Sequence, residues 1–256
     1  MVVTNSVKEQ AVSNDKLLEL RNIHKTYGRV TALFDVSFAV GQQEVVALLG
    51  DNGAGKSTLV KIISGVVRPN GGSIVWQGKP VQMMSRRDSE RLGIEPIYQD
   101  GALCNALPIW RNMFLGREIA TKLGFLSIKR MRGMASHVLN TLVEVSGIPS
   151  PDIWVQDLSG GQRQSVAIAR AVFFKRSLLI LDEPTSALGV RETEAVLRYV
   201  SRLKEEGVSS IFVTHNMHHA FELADRFVIM SHGRVVKDVL KSETTIEELT
   251  EFASQV

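Results

Sequence analysis

Short apolar runs separated by helical patterns organise this chain. Val45-Val46-Ala47-Leu48-Leu49 and Leu178-Leu179-Ile180-Leu181 show no polar alternation, which fits strands buried on both faces of a parallel sheet. Ser209–Val213 is a third β-rich run. Leu17–Leu20 reads as a short strand, and with Asn22–Gly28 and the β-rich run Val30–Val40 it reads as an antiparallel N-terminal layer. Ser73–Trp76 and Ile94–Tyr98 add strands. Phe227–Met230 and Arg234–Val236 flank Ser231-His232-Gly233 and predict a hairpin. Helical patterns cover Leu59–Ile63, Ser85–Leu92, Val190–Glu206 and Thr245–Phe252, the last with Thr245 and Glu248 in capping-box spacing. After residue 101 the period turns helical: Met131, Met134, Val138, Leu142 and Val145 share a face. Pro108, Ile109, Trp110, Met113 and Phe114 read equally as subdomain core or as a docking groove. The expected fold is α/β, with a mixed or parallel core sheet, an N-terminal antiparallel β layer and an inserted helical subdomain at about 101–176. The domain spans 17–256, behind a disordered polar tail over 1–16.

Composition narrows the picture. With 256 residues and 44% apolar content, the chain can bury one large core. A net charge of +3 gives no nucleic-acid footprint. The single cysteine, Cys104, rules out an internal disulfide and fits a reducing compartment. No apolar run approaches a membrane span, and residues 1–16 lack the apolar region of a secretory signal. The expectation is a cytoplasmic protein able to dock on a membrane partner.

The first chemical motif follows the first buried run. Gly50-Asp51-Asn52-Gly53-Ala54-Gly55-Lys56-Ser57-Thr58 lies between a predicted strand and a predicted helix, the order a phosphate-binding P-loop requires. Its glycines let successive N–H groups converge on one anion, and the helix start adds its positive dipole end. Lys56 supplies a charge for the β- and γ-phosphates, and the Ser57 hydroxyl can ligate Mg²⁺. Asp182-Glu183 ends the second buried run. There an acidic residue suits Mg²⁺ and its neighbour can polarise an attacking water, so Asp182 and Glu183 take those candidate roles. Leu158-Ser159-Gly160-Gly161-Gln162 is a second anion site at a helix start, with Ser159 as N-cap. One nucleotide does not need two such sites in one chain, so a site shared between two subunits is the economical reading. His215, His218 and His219 have helix-face spacing, but no acidic or Cys ligands cluster beside them. Packing or surface roles suit His218 and His219 better than metal binding. Tyr27, before Gly28, reads on its own as a strand-end aromatic.

These motifs, in this order, resemble the ATP-binding cassette subunit of ABC transporters, from about Leu17 to Leu240. The resemblance implies a P-loop NTPase fold with a RecA-like core, and ATP and Mg²⁺ as cofactors. Tyr27 would stack on adenine, and Gly50 to Thr58 would bind phosphate. Ser57, Gln99 and Asp182 would serve Mg²⁺. Glu183 would act as general base and His215 as the γ-phosphate switch. Ser159, Gly160, Gly161 and Gln162 would cap the nucleotide of the opposite subunit. Gly189 stands where the family usually has aspartate, which bears on coupling between the two sites. The stretch 186–193, with Ile97–Asp100 and Asn112–Glu118, is similar to cassettes of bacterial ribose-, xylose- and fructose-type importers. The implied partners are a second copy of the chain, transmembrane permease subunits and, indirectly, an extracytoplasmic sugar-binding protein, with no nucleic acid. The implied place is the inner face of the cell membrane. The alternatives are a cassette of another importer or exporter, or a soluble ATPase that remodels a macromolecular complex.

Overall fold

The computed structural model describes residues 16–98, 103–141, 148–174, 176–186 and 188–255. In chain order the strands are β1 (Lys16–Tyr27), β2 (Val30–Gly41), β3 (Val45–Leu49), β4 (Gly71–Trp76), β5 (Lys79–Val81), β6 (Ile94–Ile97), β7 (Leu178–Asp182), β8 (Ser209–Val213), β9 (Arg226–Ser231) and β10 (Arg234–Leu240). The helices are α1 (Lys56–Ile63), α2 (Arg86–Leu92), α3 (Ile109–Phe114), α4 (Ile128–Thr141), α5 (Gly160–Phe173), α6 (Val190–Glu205), α7 (Met217–Leu223) and α8 (Ile246–Gln255).

Two sheets form. The order β2-β1-β4-β5 makes the antiparallel layer, and β10-β9-β3-β8-β7-β6 makes the core sheet. Only the β10–β9 pair of the core sheet is antiparallel, so that sheet is mixed. The unalternating runs behave as expected. Val46 and Leu48 face one hydrophobic cluster with β1, β2 and α1, while Val45, Ala47 and Leu49 face another with α6 and α7. Leu178 and Ile180 divide from Leu179 and Leu181 in the same way.

Two expectations need revision and, between them, one choice left open by the sequence is decided. Leu17–Leu20 is not a separate short strand but part of β1, which runs on to Tyr27. The break in its pattern is at Asn22, whose φ is +50 and whose Nδ2 donates to Asp35 Oδ1 at 2.7 Å. That irregularity, with register shifts between Leu20 and Ile23 and between Ile23 and Lys25, spoils the alternation without ending the ladder. Second, α3 is a distinct helix, and its Ile109, Trp110, Met113 and Phe114 are buried with Met131, Val138, Val155, Leu158 and Val166. They are core and do not line an open groove. The Asn112 amide fixes the loop before them, accepting from Cys104 N at 2.7 Å and donating to Cys104 O at 3.0 Å. Third, Lys16 already belongs to β1; residues 1–15, the rest of the expected tail, lie outside the described residues, as do Leu142 and Val145.

Helix α5 joins two cores. Its Val166 and Ala169 pack into the α3–α4 cluster, and its Ala167, Ile168 and Ala171 into the cluster under the core sheet. The helix start at Ser159 is thereby held by packing on both sides.

Candidate nucleotide site

The C-terminal ends of the parallel strands β3, β7 and β8 meet at one edge of the core sheet. In open α/β sheets ligands bind at that edge. β3 lies between β8 and β9, and β8 pairs Val213 with Asp182 of β7, so the loops after these strands are neighbours.

The first loop is the glycine-rich turn. Gly50, Gly53 and Gly55 have φ of +139, +91 and +103. A Cβ at Gly50 would lie 2.2 Å from Met230 O, and one at Gly55 would lie 2.8 Å from Ala32 O. The loop is therefore wedged between β2 and the β9–β10 turn, and Gly233 N donates to Ala54 O at 3.1 Å. The sequence places Met230 and Gly233 in a predicted hairpin but gives no sign that they meet this loop. Asp51, Asn52, Gly53 and Ser57 are exposed, while Ala54 is buried. With Ile229, Met230 and His232, the loop borders a cleft of about 390 Å³.

Lys56 opens α1 and is nearly buried, its Nζ donating to Gly50 O at 2.5 Å and Asp51 O at 3.0 Å. Burial pushes its ammonium below the usual lysine range, against the pull of Glu183, Asp182 and Asp51. The two carboxylates after β7 are thus electrostatic neighbours of the P-loop lysine. Asp182 is raised above the ordinary carboxylate value by burial and then by the Glu183 charge, while Lys56 and Lys61 act in the opposite direction.

Glu183 is the most constrained residue of the site. Its φ is +50, a left-handed value that is strained for a residue with a side chain. Its N–H donates to Val213 O at 2.9 Å, tying β7 to β8. Its Oε1 lies 2.9 Å from Nδ1 of His215, and its Oε2 is buried with no hydrogen-bond partner among the described residues. The two residues line a cleft of about 480 Å³ with Thr185, Thr214, Asn216 and His219. The histidines do not converge. His215 holds Glu183, His219 Nδ1 lies 3.1 Å from Thr185 Oγ1, and His218 is exposed. Among the described residues no group of three His, Cys, Asp or Glu side chains could hold a metal by itself.

At the start of α5, Ser159 caps as its position suggests. Gln162 N donates to Ser159 Oγ at 3.2 Å and Ser159 N to Gln162 Oε1 at 2.9 Å, a reciprocal cap. Ser159 and Gly160 are exposed, but Gly161 is buried. A Cβ there would come within 2.4 Å of Glu192 Cγ, so a side chain from α6 lies across this helix start. Glu192 also reaches Gly189, where a Cβ would be 2.6 Å from its Oε2. Tyr27 ends β1 with a half-exposed ring and the Lys25 ammonium 5.1 Å from its centroid. Gln99 lies outside the described residues.

Strand, glycine loop and helix, with an acidic pair on the neighbouring parallel strand, define a P-loop nucleotide triphosphatase. The family model described as ABC transporter matches residues 33–186, and the chain belongs to that family. It is 47% identical over 235 residues to a xylose/arabinose import ATP-binding protein of Sulfolobus acidocaldarius, covering 92% of each chain. It is 41% identical to a fructose import ATP-binding protein of Rhizobium meliloti, over 94% of this chain and 95% of that one. A dimeric ATP-binding cassette solved in a post-hydrolysis state with ADP and Pi superposes with a TM-score of 0.75. It is 25% identical, over 88% of this chain and 98% of the other. As a cassette of this family the chain binds and hydrolyses ATP. Among the described residues, no helix is long and apolar enough to cross a membrane.

Proposed function

We propose that the chain is the motor subunit of a monosaccharide importer, peripheral on the inner face of the membrane and working as a head-to-tail homodimer. The observation that carries its chemistry is the meeting of Lys56, Asp182, Glu183 and His215 where β3, β7 and β8 end. The sugar assignment rests on the xylose/arabinose and fructose import relatives. The domain is taken to begin with β1 at Lys16, with a helical subdomain at about 101–176.

Residues 50–58 would hold the phosphates through the loop N–H groups and Lys56, with Tyr27 stacking on adenine. The donor set fits Mg²⁺: hard oxygens from Ser57 and Asp182, and a buried carboxylate pair in which Asp182 is disfavoured as an anion without a cation. Gln99 would complete that set and couple it to the permease. Bound there, Mg²⁺ would neutralise charge developing on the phosphates. Glu183 takes the proton of the attacking water as its oxygen bonds to the γ-phosphorus and the bond to the β-phosphate oxygen breaks. His215 orients the Glu183 carboxylate through Nδ1 and presents its other nitrogen toward the γ-phosphate. Ser159, Gly160, Gly161 and Gln162 of the second copy cover the same nucleotide.

Purifying the tagged protein with its native membranes tests the transporter reading. A multi-span permease accompanying it, encoded beside a sugar-binding protein, is the expected result. Ribosomes, DNA or only soluble proteins would overturn it.

A further inference from the structure

Several strongly exposed apolar side chains gather in one turn outside the nucleotide site. Between α3 and α4 the chain folds into a small hairpin with an Ala120–Leu126 bridge. Thr121 N donates to Phe125 O at 2.7 Å, Gly124 N to Thr121 O at 3.0 Å, and Ser127 N to Ile119 O at 2.7 Å. Phe125 N also donates to Thr121 Oγ1 at 3.2 Å. Gly124, with φ +84, makes the reversal, and open space surrounds it. This well-bonded turn leaves Leu123 84% and Phe125 72% exposed, with Leu126 and Ile128 beside them. Scattered surface apolar residues need no explanation; four within six positions on an ordered protrusion do.

The charge around the tip is predominantly positive. Between Leu103 and Thr141 the only acidic residue is Glu118, against Arg111, Arg117, Lys122, Lys129, Arg130 and Arg132. Arg117 is engaged by Glu90 and Glu95, and Arg132 by Asp152. Lys122, Lys129 and Arg130 are exposed, and no ion pair engages them among the described residues. A convex apolar tip ringed by unpaired cations matches the boundary between anionic headgroups and acyl chains.

We propose that the turn Thr121–Ile128 is a lipid-contacting tip: Leu123 and Phe125 enter the surface of an anionic bilayer while Lys122, Lys129 and Arg130 meet its phosphates. The assignment rests on the membrane-bound reading above and adds a direct protein–lipid contact to it. Its occupant is the bilayer because the apolar groups project outward instead of lining a groove, and because the charge beside them is predominantly cationic.

The test uses the full chain and sedimentation with vesicles of phosphatidylcholine alone or mixed with phosphatidylglycerol. Binding to the mixed vesicles should exceed binding to neutral ones by about tenfold or more, and weaken as salt is raised. Leu123→Asp/Phe125→Asp and Lys129→Glu/Arg130→Glu should each lower that affinity by about tenfold or more, and both should keep wild-type ATP turnover in solution. Equal binding to both vesicle types, or undiminished binding by both variants, overturns the proposal. So does an apolar-tip variant that loses a co-purified permease while the wild type ignores vesicles, since the tip would then belong to a protein contact. Absence of ATP turnover in the wild type would instead count against the motor reading, independently of the lipid result.

Discussion

Glu95 tests how the helical segment is fastened to the core sheet. It sits on β6 at 2% exposure, and its Oε2 lies 3.1 Å from Arg117 Nη2 and 3.0 Å from Arg176 Nε. Arg86 Nη2 approaches Oε1 at 3.8 Å. Burial pulls the guanidinium of Arg170 below its usual range, and Glu95 is its largest opposing influence. One buried carboxylate thus serves cations from α2, from the turn after α3, from α5 and from the chain after it. Arg117 and Arg176 are 22% and 11% exposed, so water screens them poorly. Glu95→Ala removes the buried carboxylate from among those charges, and breaking such a buried cluster costs about 3–5 kcal/mol. In a chain of this size each kcal/mol shifts Tm by roughly 2–4 °C, so the loss should be about 6–20 °C. Arg86→Ala removes a more exposed partner and should cost about 1 kcal/mol or less. Thermal and urea unfolding of both variants provide the assay. A Glu95→Ala protein within about 1 kcal/mol of wild type would refute the claim that this carboxylate organises the cluster.

Other consequences are equally concrete. Lys56→Ala should abolish tight ATP binding, measured by calorimetry; unchanged affinity would reject the P-loop assignment. Gly161→Ala forces Glu192 aside and should cost about 1–3 kcal/mol in urea unfolding. Gly161→Ala/Glu192→Ala should recover most of that loss, and no recovery would show that Glu192 is not what the methyl meets. Because the folded pKa of Asp182 is raised, the folded chain keeps that proton to higher pH than the unfolded chain. The penalty is absent below the unfolded value of 3.8 and grows as pH rises through the folded value. Asp182→Asn should therefore be the more stable protein at neutral pH, in nucleotide-free and metal-free buffer, with the advantage disappearing in acid. A less stable variant at pH 7 would contradict the assigned direction.

The sequence made some elements readable and hid others for physical reasons. β3 and β7 were legible because strands buried on both faces need unbroken apolar runs, and β8, which opens on two serines, because Ile211-Phe212-Val213 is β-rich. The α5 and α8 starts were legible because Ser159 with Gln162, and Thr245 with Glu248, are local reciprocal caps that the structure forms. Helix α3 was not, since six residues give too few turns to display a period and most of its side chains are buried. The site's long-range parts were invisible: Arg86, Arg117, Arg170 and Arg176 reach Glu95 only through the fold, and Glu192 reaches Gly161 from another helix. The strained φ of Glu183 leaves no trace in composition either; it becomes apparent only where Val213 and His215 hold that residue.

The measurement closest to the central claim is single-turnover phosphate release by Glu183→Gln, read together with its ATP-dependent mass in solution. Without the carboxylate, His215 keeps a partner of the same shape but the water loses its proton acceptor. The account predicts near-wild-type ATP affinity, turnover lowered by about 10²-fold or more, and a dimer that persists with ATP and Mg²⁺. Hydrolysis at the wild-type rate would contradict it, because Glu183 would then not be the base.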